Sequence, residues 1–200
     1  HQKLKVLIDD DGTEKLFIND ELDMVREEIK PIEIIYNHSS IKKTIGKKRN
    51  DLIKLCTTKI FAFMDDDDIY MPTYISHSYK TLKDNNAGCV GCDKMLFCMT
   101  FKEFGIYALS CGDNINMIHE ATIMATKKWF KGSCKFKNNS EGEGQQLFAG
   151  QNNTVAITEI TKLMICIQHK ENTICKKQFS DDKYKVDLKL DNRLIDLIKM

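Results

Sequence analysis

Lys59-Ile-Phe-Ala-Phe-Met-Asp-Asp-Asp-Asp68 is an apolar run that breaks into four consecutive aspartates. The apolar part, Lys59 to Met64, suits a central strand covered on both faces, as strands of parallel sheets are. The acidic part is harder to place. Neighbouring carboxylates repel and raise one another's pKa unless a cation neutralises them. An acidic loop or a helix cap is the plain alternative, but a cap needs one carboxylate and not four. Along an extended segment, alternation sets Asp65 and Asp67 on one side and Asp66 and Asp68 on the other. Oxygen-only ligands of this kind suit Mg2+ or Mn2+, with diphosphate oxygens completing the octahedron.

Upstream, Lys3 to Asp9 is a β-branched run ending in Asp9-Asp10-Asp11-Gly12, as a strand entering a loop should be. Asp20 to Ile29 spaces Leu22, Val25 and Ile29 near helical period, and Pro31 stops it. Pro31 to Tyr36 reads as a second strand, and Lys48 to Leu55 as the start of a helix. Met71 to Leu82 opens with Pro72 near a helix N-terminus and continues amphipathically. Strand, helix, strand, helix, strand predicts an α/β fold with a mixed, mainly parallel central sheet flanked by helices in one domain. Ligands bind such sheets at the carboxyl ends of the strands, where two of the three strands end in acid. Beyond Ala87 the pieces are strand-like: Gly88 to Phe97, Phe104 to Leu109, Thr122 to Ala125, Thr154 to Ile157 and Met164 to Gln168. Asp187 to Met200 spaces its leucines like a closing amphipathic helix. The expected division is a nucleotide-binding half over about residues 1–85 and an acceptor half over about 86–200.

The 42% hydrophobic content is enough to close one large core, and a net charge of +1 supports no nucleic-acid partner. No apolar run approaches the roughly 18 residues of a transmembrane segment. Eight cysteines from Cys56 to Cys175 lie mostly in apolar stretches, which predicts buried, reduced thiols in a soluble protein of the cytoplasm. Cys89-Val-Gly-Cys92 with Cys98 and Cys111 has half the spacing of a zinc site, but no second C-x-x-C pair completes it.

Gly46-Lys-Lys-Arg-Asn50, before a helix, offers a positive N-terminus and a forked guanidinium for phosphate. Together with Ile60 to Pro72, and with Leu7-Ile-Asp-Asp-Asp-Gly-Thr13 ahead of it, this run resembles family-2-type glycosyltransferases of the GT-A (Rossmann-like) fold. The resemblance covers Leu4 to Leu82. Ala121 to Ala125 and Asn152 to Asn172 are similar to relatives from large DNA viruses, which would place the protein in host cytoplasm. Such enzymes usually begin with another strand and helix, so part of the nucleotide site is expected to be missing or removed from the N-terminus.

The resemblance implies transfer of a sugar from a nucleotide diphosphate sugar, UDP-sugar favoured, to a glycan or glycoprotein acceptor with Mn2+, or Mg2+, as cofactor. It implies that Asp10 or Asp11 reads the nucleobase, that Arg49 contacts the diphosphate, and that Asp65, Asp66 and Asp68 bind the nucleotide sugar. The metal would fall to Asp67 with Asp65 and His169, a late histidine that is equally readable as an ordinary strand end. The catalytic base would be Glu143, or Glu141, in the polar run Asn138 to Gly144; both are also readable as solvated loop charges. Trp129 reads as a core or rim residue. The alternatives are a nucleotidyltransferase acting on a sugar phosphate and a non-catalytic nucleotide-sugar-binding domain.

Overall fold

The computed structural model describes residues 4–132, 135–151, 154–169, 172 and 177–199. Lys3, Cys134, Asn152, Cys175 and Met200, which the sequence reading touches, lie outside them. The chain forms two compact units, residues 1–58 with 135–144, and residues 59–134 with 145–200. The first unit takes in a short segment from far along the chain.

In the first unit, β1 (Lys5–Asp10) pairs parallel with β2 (Glu33–His38), from Lys5 opposite Glu33 to Asp10 opposite His38. The connection runs through α1 (Glu21–Glu28). Helix α2 (Ile45–Leu55) packs against β1 and buries Gly46, Arg49 and Ile53. It begins three residues before the expected Lys48, because the Thr44 hydroxyl caps the amide of Lys47.

The second unit holds two four-stranded sheets. Strands β3 (Ile60–Ala62), β8 (Met124–Thr126), β5 (Cys89–Gly91) and β9 (Val155–Ile157) form one, in that order. Strands β4 (Ile69–Tyr70), β10 (Met164–Gln168), β6 (Lys94–Met99) and β7 (Gly105–Ser110) form the other. Helix α3 (Tyr74–Asp84) packs on β5 and β8, and α4 (Lys127–Gly132) on β8. Helix α5 (Asn192–Lys199) starts later than the expected Asp187, and Leu190 and Ile198 reach the core beside β10.

The sheets are mixed, as expected, but not mainly parallel. Only β1–β2, β10–β6 and β5–β9 run parallel among the seven pairings of the described residues. The antiparallel partners come chiefly from the chain beyond residue 87, where hairpin-like neighbours such as β6 and β7 replace helical crossovers. Nor is β3 central. It stands at one end of its sheet, and its apolar side chains are covered by aromatic packing, Phe61 meeting Phe63 and Phe130 edge-on at 5.4 and 5.9 Å between ring centroids. The strand that fits the two-sided pattern is β10, whose five residues are all buried between β4 and β6. Burying each of its aliphatic side chains contributes about 1.5–3 kcal/mol, which fixes this strand as the rail on which the neighbouring acidic turn is mounted.

Candidate functional site

In the second unit the four aspartates do not continue β3 as an extended segment. Residues 66 and 67 form a turn, and the chain re-enters a sheet at β4. Two tyrosines, buried Tyr74 and half-buried Tyr70, hold the turn's entrance. The Tyr74 hydroxyl donates to the carbonyl of Phe63 at 2.8 Å. The Tyr70 hydroxyl accepts the amide of Asp65 at 2.9 Å and donates to the carbonyl of Ala121 at 3.2 Å. At the exit, Asp68 accepts the amide of Ile167 in β10 at 3.0 Å. Burial pushes the Asp68 carboxyl up to about 7, against that backbone hydrogen bond and helped by the charges of Asp67 and Asp65. The expected alternation of sides is therefore corrected: the turn brings both Asp67 and Asp68 to the end of β10.

There Asp67 meets His169, with Oδ2 and Nε2 3.7 Å apart and both side chains partly exposed. Asn172, which no spacing in the sequence marked, lies between them. Its amide nitrogen is 3.1 Å from Asp67 Oδ2 and 3.2 Å from His169 Nε2. Among the described residues no three His, Cys, Asp or Glu side chains form a metal cage. A carboxylate is the usual protein ligand for Mg2+ or Mn2+ beside phosphates, and the imidazole is a second, softer donor at the same place, so a cation here would draw its other ligands from a substrate.

In the first unit the acids that end β1 are each engaged. Asp9 accepts both Asn37 Nδ2 and Lys43 Nζ at 2.8 Å. Asp10 accepts the amides of Gly12 and Leu16 at 2.8 and 2.9 Å and the hydroxyl of Tyr36. That hydroxyl, then the two amides, holds the Asp10 carboxyl down at about 2. Buried Asp11 accepts the amide of Lys43 at 2.9 Å and Lys48 Nζ at 3.1 Å. Burial opposes its ionisation, but these two lysines outweigh burial and lower its pKa. A carboxylate offers about four lone-pair sites, so Asp10, with three donors, keeps room for one more, and Asp11, with two donors and Lys42 Nζ at 3.5 Å, also keeps room.

The N-terminus of α2 is not the open phosphate cradle that the sequence suggested. Ile45 donates its amide to Ser140 Oγ at 3.1 Å, Gly46 to the carbonyl of Asn139 at 3.0 Å, and Lys47 and Lys48 to Thr44. The run 138–144, expected as a polar loop, thus caps the helix. Gly46 is obligatory there, since a Cβ would sit 1.8 Å from the carbonyl oxygen of Lys137. Arg49 is buried, its guanidinium 5.8 Å from the ring centre of Phe136 and its Nε 3.7 Å from Glu143. Glu143 is buried as well, whereas Glu141 on the same segment is exposed.

Elsewhere in the second unit, Trp129 is a core residue, donating Nε1–H to Thr154 Oγ1 at 3.0 Å. Cys89, Cys92 and Cys98 are fully buried free thiols whose pKa values burial raises, Cys92 and Cys98 each to about 11.

Helix-flanked mixed sheets with acids at strand exits are the architecture of the GT-A class of α/β proteins. The chain belongs to glycosyl transferase family 2, whose family model matches residues 1–142. No curated protein matches it. Among solved structures it is similar to S. aureus TarS, with a TM-score of 0.58 at 14% identity over 83% of this chain and 37% of that one. It is also similar to TarS 1-349 in complex with UDP-GlcNAc, with a TM-score of 0.55 at 11% identity over 86% of this chain and 60% of that one. The complex of TarS 1-349 with UDP gives 0.56 at 13% identity over 83% and 60%. The chain therefore spans 37% to 60% of the TarS chains it matches. No helix among the described residues is long and apolar enough to cross a membrane.

Proposed function

We propose that this chain carries the catalytic core of a divalent-cation-dependent glycosyltransferase that moves a sugar from a UDP-sugar to a glycan or glycoprotein acceptor. The observation that carries the reading is the pairing of Asp67 with His169 on a turn held by Tyr70 and Asp68. Family membership and the likeness to a protein solved with UDP-GlcNAc support it. Mn2+ or Mg2+, when bound, supplies positive charge to the departing diphosphate. Asp67 and His169 would hold it, and the hydrogen bond from the Ile167 amide of β10 to Asp68 fixes the turn that carries Asp67. Asp65 and Asp66, on the same turn, face the nucleotide sugar. In the first unit Asp10 or Asp11 spends its remaining lone pair on the nucleobase imide. Arg49 orients the diphosphate through the segment it anchors. Glu143 is the carboxylate fixed in place for proton removal from the acceptor hydroxyl, and exposed Glu141 is the second candidate.

Titrating UDP and a panel of UDP-sugars with and without Mn2+ tests the reading. Binding strengthened by Mn2+ and lost in Asp67→Ala is expected; binding indifferent to both removes the cation assignment. Pyrophosphate release from a nucleoside triphosphate would instead mark a nucleotidyltransferase, and nucleotide binding without donor turnover or hydrolysis a binding domain.

A further inference from the structure

We infer that the Asn172 carboxamide is a built-in placeholder for the cation, competing with it for Asp67 and His169; the inference rests on the cation-dependent reading above. Three contacts fix which end of the carboxamide is which. Oδ1 lies 2.6 Å from the backbone amide of His169, which only an oxygen accepts. The nitrogen lies 3.2 Å from the carbonyl of Ile167 and 3.1 Å from Asp67 Oδ2, both acceptors only, so it must be the NH2 group. That NH2 group also stands 3.2 Å from His169 Nε2; with one of its two hydrogens directed at Ile167, the other is shared between Asp67 Oδ2 and Nε2, and acceptance at Nε2 requires the imidazole proton of the neutral ring to reside on Nδ1.

The consequence is specific. The two atoms that receive the partial positive charge of the Asn172 NH2 group are the same two atoms that would ligate a cation. The backbone clamps to Ile167 and His169 hold the amide there without any contribution from substrate. A cation approaching Asp67 and His169 must displace the N–H that these two side chains share. Asn172 therefore keeps the imidazole in the ligating tautomer and at the same time weakens cation affinity, so that diphosphate oxygens are needed to complete binding. This makes uptake of the cation depend on the nucleotide.

The test is Mn2+ binding to the whole protein without nucleotide, followed by electron paramagnetic resonance of the free ion, in wild type, Asn172→Ala and Asn172→Asp. Removing the amide N–H donors is expected to tighten Mn2+ binding about tenfold in Asn172→Ala, with less further gain on adding UDP than in wild type. Asn172→Asp retains the oxygen that accepts the His169 amide and controls for loosening of the chain; its added carboxylate would itself ligate Mn2+, so the alanine variant decides. A residue that merely held the turn would give weaker Mn2+ binding in Asn172→Ala. Nitrogen-15 NMR of wild-type His169 is the second readout: a proton on Nδ1 is expected, and a proton on Nε2 in the neutral ring overturns the inference. If wild type binds Mn2+ and Asp67→Ala does not, yet Asn172→Ala binds no tighter, the placeholder alone is refuted. If wild type takes up no Mn2+ with or without UDP, the cation reading falls with it.

Discussion

Arg49 and Glu143, ninety-four positions apart in the chain, face each other across 3.7 Å with both side chains more than nine-tenths buried. A buried ion pair is a weak source of net stability, but removing one partner leaves a charge stranded in a low-dielectric interior. Glu143→Gln is therefore expected to lower unfolding stability by about 3 kcal/mol in urea titrations. Arg49→Met should cost a similar amount, and the double variant less than the sum. Activity lost in Glu143→Gln with stability unchanged would instead assign Glu143 to proton transfer alone.

Gly46 gives a sharper test of the same attachment. With the Lys137 carbonyl 1.8 Å from where a Cβ would sit, Gly46→Ala must push segment 135–144 off the helix. The helix amides that Asn139 and Ser140 satisfy then open to solvent. Hydrogen exchange should show the amides of Ile45 and Gly46 losing protection at least about tenfold, while those of β10 keep theirs.

Asp68 makes stability fall as pH rises, the reverse of the usual surface carboxylate. Burial holds its pKa at about 7 in the folded protein against 3.8 in the unfolded chain. Below pH 3.8 both states carry the proton. Between about 4 and 7 only the folded state retains it, so stability declines across that window and levels off above it. The decline attributable to this group is on the order of 2–4 kcal/mol without divalent cation. Urea unfolding in EDTA at a series of pH values should show it, and Asp68→Asn should abolish that component.

Asp10 behaves in the opposite sense. The Tyr36 hydroxyl is the largest contributor to its low pKa of about 2. Tyr36→Phe is expected to raise the Asp10 pKa towards the ordinary 3.8, read from carboxyl carbon-13 shifts. In wild type the stabilisation from this contact is present above pH 3.8 and fades as pH falls towards 2.

Much of the scaffold was legible in the sequence because it is written locally. The strand read over Lys3 to Asp9, the helix read from Lys48 and the run Met164 to Gln168 follow from composition and periodicity within a dozen residues, and the structure has them within about three residues of those bounds. The central position of β3 was misread because an apolar run looks the same whether neighbouring strands or aromatic rings cover it, and Phe61 is covered by Phe130. The acids were read as extended because nothing near Asp68 announces that its partner is the amide of Ile167, ninety-nine residues on. The partner of Arg49 was not legible for the same reason: Glu143 sits on a segment that looks solvated when taken alone. Asn172 was missed altogether, since an asparagine three residues after a histidine carries no signal until the chain folds.

The return of residues 135–144 to the first unit has a consequence for biosynthesis. During translation α2 emerges long before the stretch that covers its leading amides, and the whole of residues 59–134 must be made in between. Closing so large a loop costs entropy before any contact repays it, so the early unit waits on late-made chain. A polypeptide released before residue 144 would expose the buried guanidinium and the helix start together, giving chaperones and proteases a clear handle for discarding unfinished copies.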